Sequence, residues 1–118
     1  MTEVRAVLVA VRERASALAL VRALERHLPV KGVACATPSE TLVALPKTRL
    51  AVIDVTLSTS TALLYQLAAR VVPVPVIVIL QDLAPTSVDA ALRGGAVAVL
   101  SWPVDAEELV TVVRRHLP

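Results

Sequence analysis

Apolar residues in this chain fall in short dense runs, separated by stretches in which they recur every three or four positions. Val4 to Val11 is nearly all apolar and valine-rich, the pattern of a strand covered on both faces, and predicts β1. Ala17, Leu20, Val21, Leu24 and Leu28 then repeat at helical spacing, with Arg22, Glu25 and Arg26 on the other side, which predicts α1, ended by Pro29. Val30 to Ala36 reads as β2. Thr37-Pro38-Ser39-Glu40 is a capping box with proline at the first helical position, opening a short α2 that runs to about Leu45 before Pro46 stops it. Leu50 to Val55 is β3 and carries Asp54 near its C-terminal end. Ser58 to Thr61 is a loop and helix start for α3, whose Leu63, Leu64, Leu67 and Val71 share a face. Pro75 to Leu80 is β4, and Ser87 to Arg93 is α4, stopped by Gly94-Gly95 in a left-handed turn. Val97 to Ser101 is β5, and Asp105-Ala106-Glu107-Glu108 caps α5, which bears Leu109, Val112, Val113 and Leu117.

Five strands alternating with five helices predict an α/β fold, a doubly wound parallel sheet with helices on both faces. No repeat, low-complexity segment or linker interrupts residues 1–118, so a single domain is expected. With 56% apolar residues the chain can bury a full core, and with no Phe, one Trp and one Tyr that core must be built from Ala, Val and Leu. Such small side chains suit strands packed closely under helices. Twelve basic and ten acidic residues leave a formal charge of +2, and the basic residues are scattered, without the stripe or cluster that nucleic-acid binding needs. Cys35, the only cysteine, has no partner for an internal disulfide and is expected to be a buried, inert thiol. The apolar run 6–11 is too short for a signal peptide or membrane span, and the longer run 71–80 is broken by Pro73 and Pro75, so a cytoplasmic location is expected. His27 and His116 stand apart near helix C-termini, where a solvated or dipole-complementing histidine is the usual explanation.

The stretch Ala91 to Leu109, ALRGGAVAVLSWPVDAEEL, holds the most information about function. It resembles the C-terminal part of response-regulator receiver domains, which reads in outline A-L-x-x-G-A-x-x-Y/F-L-x-K-P-[FV]-x-x-x-E-L. Ala91, Leu92, Gly95, Ala96, Leu100, Pro103, Val104, Glu108 and Leu109 fit that outline. Trp102 stands in the place of the lysine, and Val99 in the place of the aromatic. The resemblance implies a flavodoxin-like sheet with strand order 2-1-3-4-5 and an active crevice beyond the C-terminal ends of the strands. It also implies a cis peptide bond at Trp102–Pro103, which an aromatic before proline favours locally.

Receivers place five groups in that crevice. Two acids after β1 and an aspartate after β3 hold magnesium, and a hydroxyl after β4 with a lysine after β5 binds the phosphoryl oxygens. Asp54 matches the phospho-accepting aspartate. The acidic pair falls at Val11-Arg12 or, in the register that better suits the α1 stripe, at Arg12-Glu13. Glu13 could give one oxygen to a metal, while Arg12 brings a guanidinium, either solvated or paired with Asp54. Leu80 replaces the β4 hydroxyl. Magnesium is therefore expected to bind weakly or not at all, no cofactor is implied, and no catalysis is expected. Trp102 reads as a hydrophobic lid over the crevice, or alternatively as an exposed anchor for a protein partner.

Replacement of both the β4 hydroxyl and the β5 aromatic removes the two groups that move together when receivers are phosphorylated. The resemblance thus implies a pseudo-receiver, a protein-interaction module in bacterial signal transduction that works without aspartyl phosphorylation; the alternative is a phospho-receiver using Asp54. Its partner would be another signalling protein or a fused output domain, or a second copy of the chain through the α4–β5–α5 side. There Val88, Leu92, Val99, Val110 and Val113 are the candidate contacts, with Val110 off the main α5 stripe. A nucleotide- or cobalamin-binding domain is disfavoured, since no Gly-rich loop follows β1 and no Asp-x-His-x-x-Gly motif exists.

Overall fold

The strands of the computed structural model are β1 (Arg5–Ala10), β2 (Val30–Cys35), β3 (Leu50–Asp54), β4 (Val76–Leu80) and β5 (Ala98–Ser101). The structure describes residues 5–54, 74–81 and 83–117, so the predicted α3 lies outside the described residues. All neighbouring strands pair in parallel, in the order β2-β1-β3-β4-β5. Parallel neighbours cannot be joined by a hairpin, so each connection must cross a face of the sheet. The described crossings carry α1 (Arg14–His27), α2 (Pro38–Ala44) with a 3-10 turn at Leu45–Lys47, and α4 (Pro85–Arg93); α5 (Ala106–His116) follows β5.

Two-residue periodicity divides the core between the faces. Val7, Val9, Leu50, Val52, Ile77 and Ile79 meet Leu20, Val21 and Leu24 of α1 and Leu109, Val110 and Val113 of α5. Their sequence neighbours Leu8, Ala10, Ala51, Ile53, Val78 and Leu80 form the opposite layer, packed by Ala44, Val88 and Ala91. β3 and β4 are buried at every position, which is why they read as unbroken apolar runs.

Helix ends obey local chemistry. α4 starts at Pro85 rather than at the expected Ser87, because proline suits the first helical turn, where its missing N–H would be unpaired anyway. It ends as expected in a left-handed glycine: Gly95 has φ 106°, the Ala96 N–H donates to the Ala91 carbonyl at 3.1 Å, and the Gly95 N–H donates to the Leu92 carbonyl at 3.1 Å. Asp105 caps α5 by accepting from the Glu107 N–H at 2.9 Å.

α1 packs closely on β2 at Gly32. A Cβ on Gly32 would run into Cγ1 of Val21, a β-branched, buried side chain that cannot swing aside. Gly32→Ala should therefore push α1 off the sheet and lower stability by about 1–3 kcal/mol. Urea denaturation of the variant against wild type measures this directly.

Candidate functional site

Parallel strands bring their C-terminal ends to one edge of the sheet, and that edge holds the site residues expected from the sequence. Ala10 is level with Cys35 and Ile53, Asp54 with Ile79, and Leu80 with Ser101. The ladder continues one step past two strands: the Val11 N–H donates to the Cys35 carbonyl at 3.1 Å and the Trp102 N–H to the Leu80 carbonyl at 3.0 Å.

Asp54 ends β3 and is only 3% exposed, at the middle of the edge. Arg12 lies beyond β1, exposed, and Glu13 is the equally exposed N-cap residue of α1, making no side-chain cap bond. Magnesium requires near-octahedral oxygen coordination. Among the described residues no three His, Cys, Asp or Glu side chains gather closely enough to hold a metal ion.

Leu80 is buried in the α2–α4 layer, apolar where the resemblance implies a hydroxyl, while Ser101 beside it is half-buried and Gln81 is exposed. Trp102 follows β5 and packs against the α1–α5 layer. Its indole Nε1 is buried and finds no hydrogen-bond acceptor among the described residues. The residue as a whole is half-buried. The Trp102–Pro103 bond is cis, as expected.

No protein-family model matches the sequence, and no curated protein does. Solved structures do. The signal receiver domain of a protein from Vibrio parahaemolyticus described as a Luxo repressor is similar with TM-score 0.87 at 19% identity, over 98% of this chain and 91% of that one. A CheY-like response regulator receiver domain protein from Methanospirillum hungatei gives TM-score 0.84 at 21% identity, over 98% and 94%. The fold is the receiver fold. A Burkholderia pseudomallei protein described as pilus assembly-related shares it, with TM-score 0.80 at 17% identity, over 96% and 89% of the two chains.

On this receiver fold the α4–β5–α5 side differs from expectation in one respect. Val110 is 6% exposed and Val113 fully buried, so neither is available to a partner. α5 packs on α1 as well as on the sheet, so a wider arc of its surface is covered than the single stripe suggests. A charge at Val110 would break the core rather than probe an interface. Val88 and Val99 are half-buried against the α2–α4 layer, and Leu92 stands out at 49% exposure, with Val97 at 39%.

One polar cluster at the same edge was only half visible in the sequence. The Thr37 hydroxyl accepts from the Glu40 N–H at 3.2 Å, as a capping box requires. The Glu40 carboxylate, however, accepts from the Ala36 N–H at 3.2 Å and from the Thr37 hydroxyl, and takes the Arg14 guanidinium on both oxygens at 2.8 and 3.0 Å. Arg14 lies 26 residues away, and no local pattern joins the two. The pair ties the start of α1 to the start of α2 at the C-terminal ends of β1 and β2. Beneath it Cys35 is buried, as expected, and desolvation together with the Glu40 charge raises its thiol above the ordinary range, keeping it protonated and unreactive.

Hydrogen bonds from Arg14 and the Ala36 N–H hold the Glu40 carboxyl below its usual range. A lowered folded-state value means that the stabilisation is complete above the ordinary glutamate pKa and is lost as pH falls through the folded value. Wild type should therefore be more stable than Glu40→Gln at neutral pH, and the two should converge on the acid side of the carboxylate range; denaturation midpoints across that range test it. For Trp102, phenylalanine removes a buried orphan donor whose desolvation costs about 1–3 kcal/mol, offsetting the lost ring area, so stability should stay within about 1 kcal/mol of wild type. Trp102→Ala, which loses the packing as well, should cost about 2–4 kcal/mol by the same measurement.

Proposed function

We propose that this chain is a signalling domain of the receiver type that acts by binding a protein partner, without using Asp54 as a phosphoryl acceptor. The observation that carries the reading is Trp102: where the resemblance implies a phosphate-binding lysine, an indole is packed into the α1–α5 layer. A phosphoryl group needs its charge neutralised by placed cations and donors. Trp102 offers no charge, the buried Leu80 offers no hydroxyl, and the described acids do not gather around a metal. A phosphate signal also needs a two-state element to bias, and neither Leu80 nor Val99 has a polar group to exchange.

Surface binding remains as the carrier of information. Leu92 and Val97 are the exposed apolar positions on the α4–β5 part of the molecule, backed by the half-buried Val88 and Val99. This surface suits another signalling protein, a fused output domain or a second copy of the chain. Scattered charge argues against nucleic acid, and no described helix is long and apolar enough to cross a membrane. The phospho-receiver reading keeps one observation in its favour, the burial of Asp54 at the centre of the edge.

Two measurements separate the readings. Incubation with a small phosphodonor and magnesium should leave the intact mass unchanged. Partner binding or self-association should survive Asp54→Asn and weaken several-fold or more in Leu92→Glu, since a charge in an apolar contact is strongly unfavourable. A one-phosphoryl mass gain that disappears in Asp54→Asn, together with indifference to Leu92→Glu, would replace this reading with the phospho-receiver.

A further inference from the structure

Basic residues that are scattered along the sequence are gathered by the fold. All strands run parallel, so their first residues share one end of the sheet, and the helices that run back across its faces finish there too. Arg5 opens β1, Lys31 of β2 lies level with Ala6, and the Arg49 N–H, just ahead of β3, donates to the Ala6 carbonyl at 2.8 Å. Lys47 stands in the 3-10 turn that leads to them. The last turns of α1 and α5 bring Arg26, Arg114 and Arg115 to the same end. All of these side chains belong to exposed residues.

The acids described at this end are already engaged. Glu25 accepts from the Gly32 N–H at 2.9 Å, and Asp89 pairs with Arg93 at 3.0 Å. The opposite end has the reverse sign, with Glu13 after β1 and Asp105, Glu107 and Glu108 after β5 all exposed, and Arg12 among them. Helix dipoles account for part of this polarity, since cations are favoured in a last turn and acids in a first. They do not account for Arg5, Lys31, Lys47 and Arg49, which belong to no α-helix. Like charges gathered at one end create a field that attracts a surface of opposite sign.

We infer that the N-terminal end of the sheet is a docking surface for an acidic protein partner, one that presents aspartate and glutamate to these arginines and lysines. Arginine suits the task because its planar fork can hold both oxygens of a carboxylate. A protein fits better than nucleic acid because exposed apolar surface adjoins the charge. Leu92, in the last turn of α4, and Val97, just before β5, lie at the same end of the sheet. β5 is two strands from β3, about 10 Å at the ordinary strand spacing. Apolar contacts flanked by complementary charge are the make-up of a protein interface, and no described residue at this end is an aromatic on which unpaired bases could stack. In taking Leu92 and Val97 as protein contacts this surface rests on the signalling role proposed above, while Asp54, at the opposite end, has no part in it.

Fluorescence anisotropy at physiological salt tests this, with a labelled polyglutamate peptide, a peptide of glutamates interspersed with leucines, a duplex DNA and phosphatidylserine vesicles as probes. Circular dichroism first establishes that each variant folds. Polyglutamate should bind saturably, and binding should weaken three-fold or more in Arg114→Ala/Arg115→Ala and in Lys31→Ala/Lys47→Ala; either pair carries the test alone. The leucine-bearing peptide should bind several-fold tighter than polyglutamate, and Leu92→Ala should remove that gain. No polyglutamate binding, or binding indifferent to both pairs, overturns the docking surface. Tighter binding of DNA or vesicles that the same pairs abolish, or no gain from the leucines, overturns the choice of a protein. The polyglutamate comparison involves neither Leu92 nor Asp54, so its failure is distinct from a failure of the proposed signalling role.

Discussion

A parallel sheet must be covered on both faces, and in this chain that single constraint decides most of the architecture. Its strands cannot turn directly into one another, so helices cross over each face, and strand residues of either parity are buried. The composition answers this with Ala, Val and Leu in place of large aromatics, which lets helices lie close to the strands. Where α1 comes nearest to β2, even a methyl group is too much, and Gly32 fills the position. At the outer edge of β2 the Gly32 N–H donates to the Glu25 carboxylate of α1.

The same arrangement gathers the strand ends that would make a reactive crevice, and it does so whether or not the reactive groups are present. Asp54 is buried where the scaffold delivers it, but its surroundings are apolar in two of the places where charge or hydroxyl would be needed. A scaffold held together by both-face burial does not depend on the chemistry at its rim, so the rim can change while the fold persists. The orphan Nε1 of Trp102 is consistent with a position filled for packing, where one polar atom was carried along.

Much of this was legible in the sequence because it rests on local pattern. Unbroken runs such as Leu50 to Ile53 give buried strands, and glycine and proline mark turns with defined geometry, as at Gly95. α4 begins two residues before the serine that suggested its start, since Pro85 is the stronger signal for a first turn. Positions set by tertiary packing were harder to read. Val110 sits off the α5 stripe, and only the contact between α5 and α1 shows that it is core. Glu40 could be placed at a helix start, yet its attachment to Arg14 and Ala36 depends on how α1, β2 and α2 come together in space. Local rules account for capping and periodicity, whereas the partner of a long polar side chain is a property of the assembled fold.

Concentrating the aromatic content into so few residues has an optical consequence. Trp102 is the only tryptophan in a chain without phenylalanine, and it sits half-buried at the C-terminal edge of the sheet, one residue past β5. Ultraviolet emission from the native protein therefore comes overwhelmingly from one indole at one place. The chain carries its own fluorophore at the rim where its candidate chemistry lies, and solvent or any molecule reaching that rim meets the reporter without a label having been introduced.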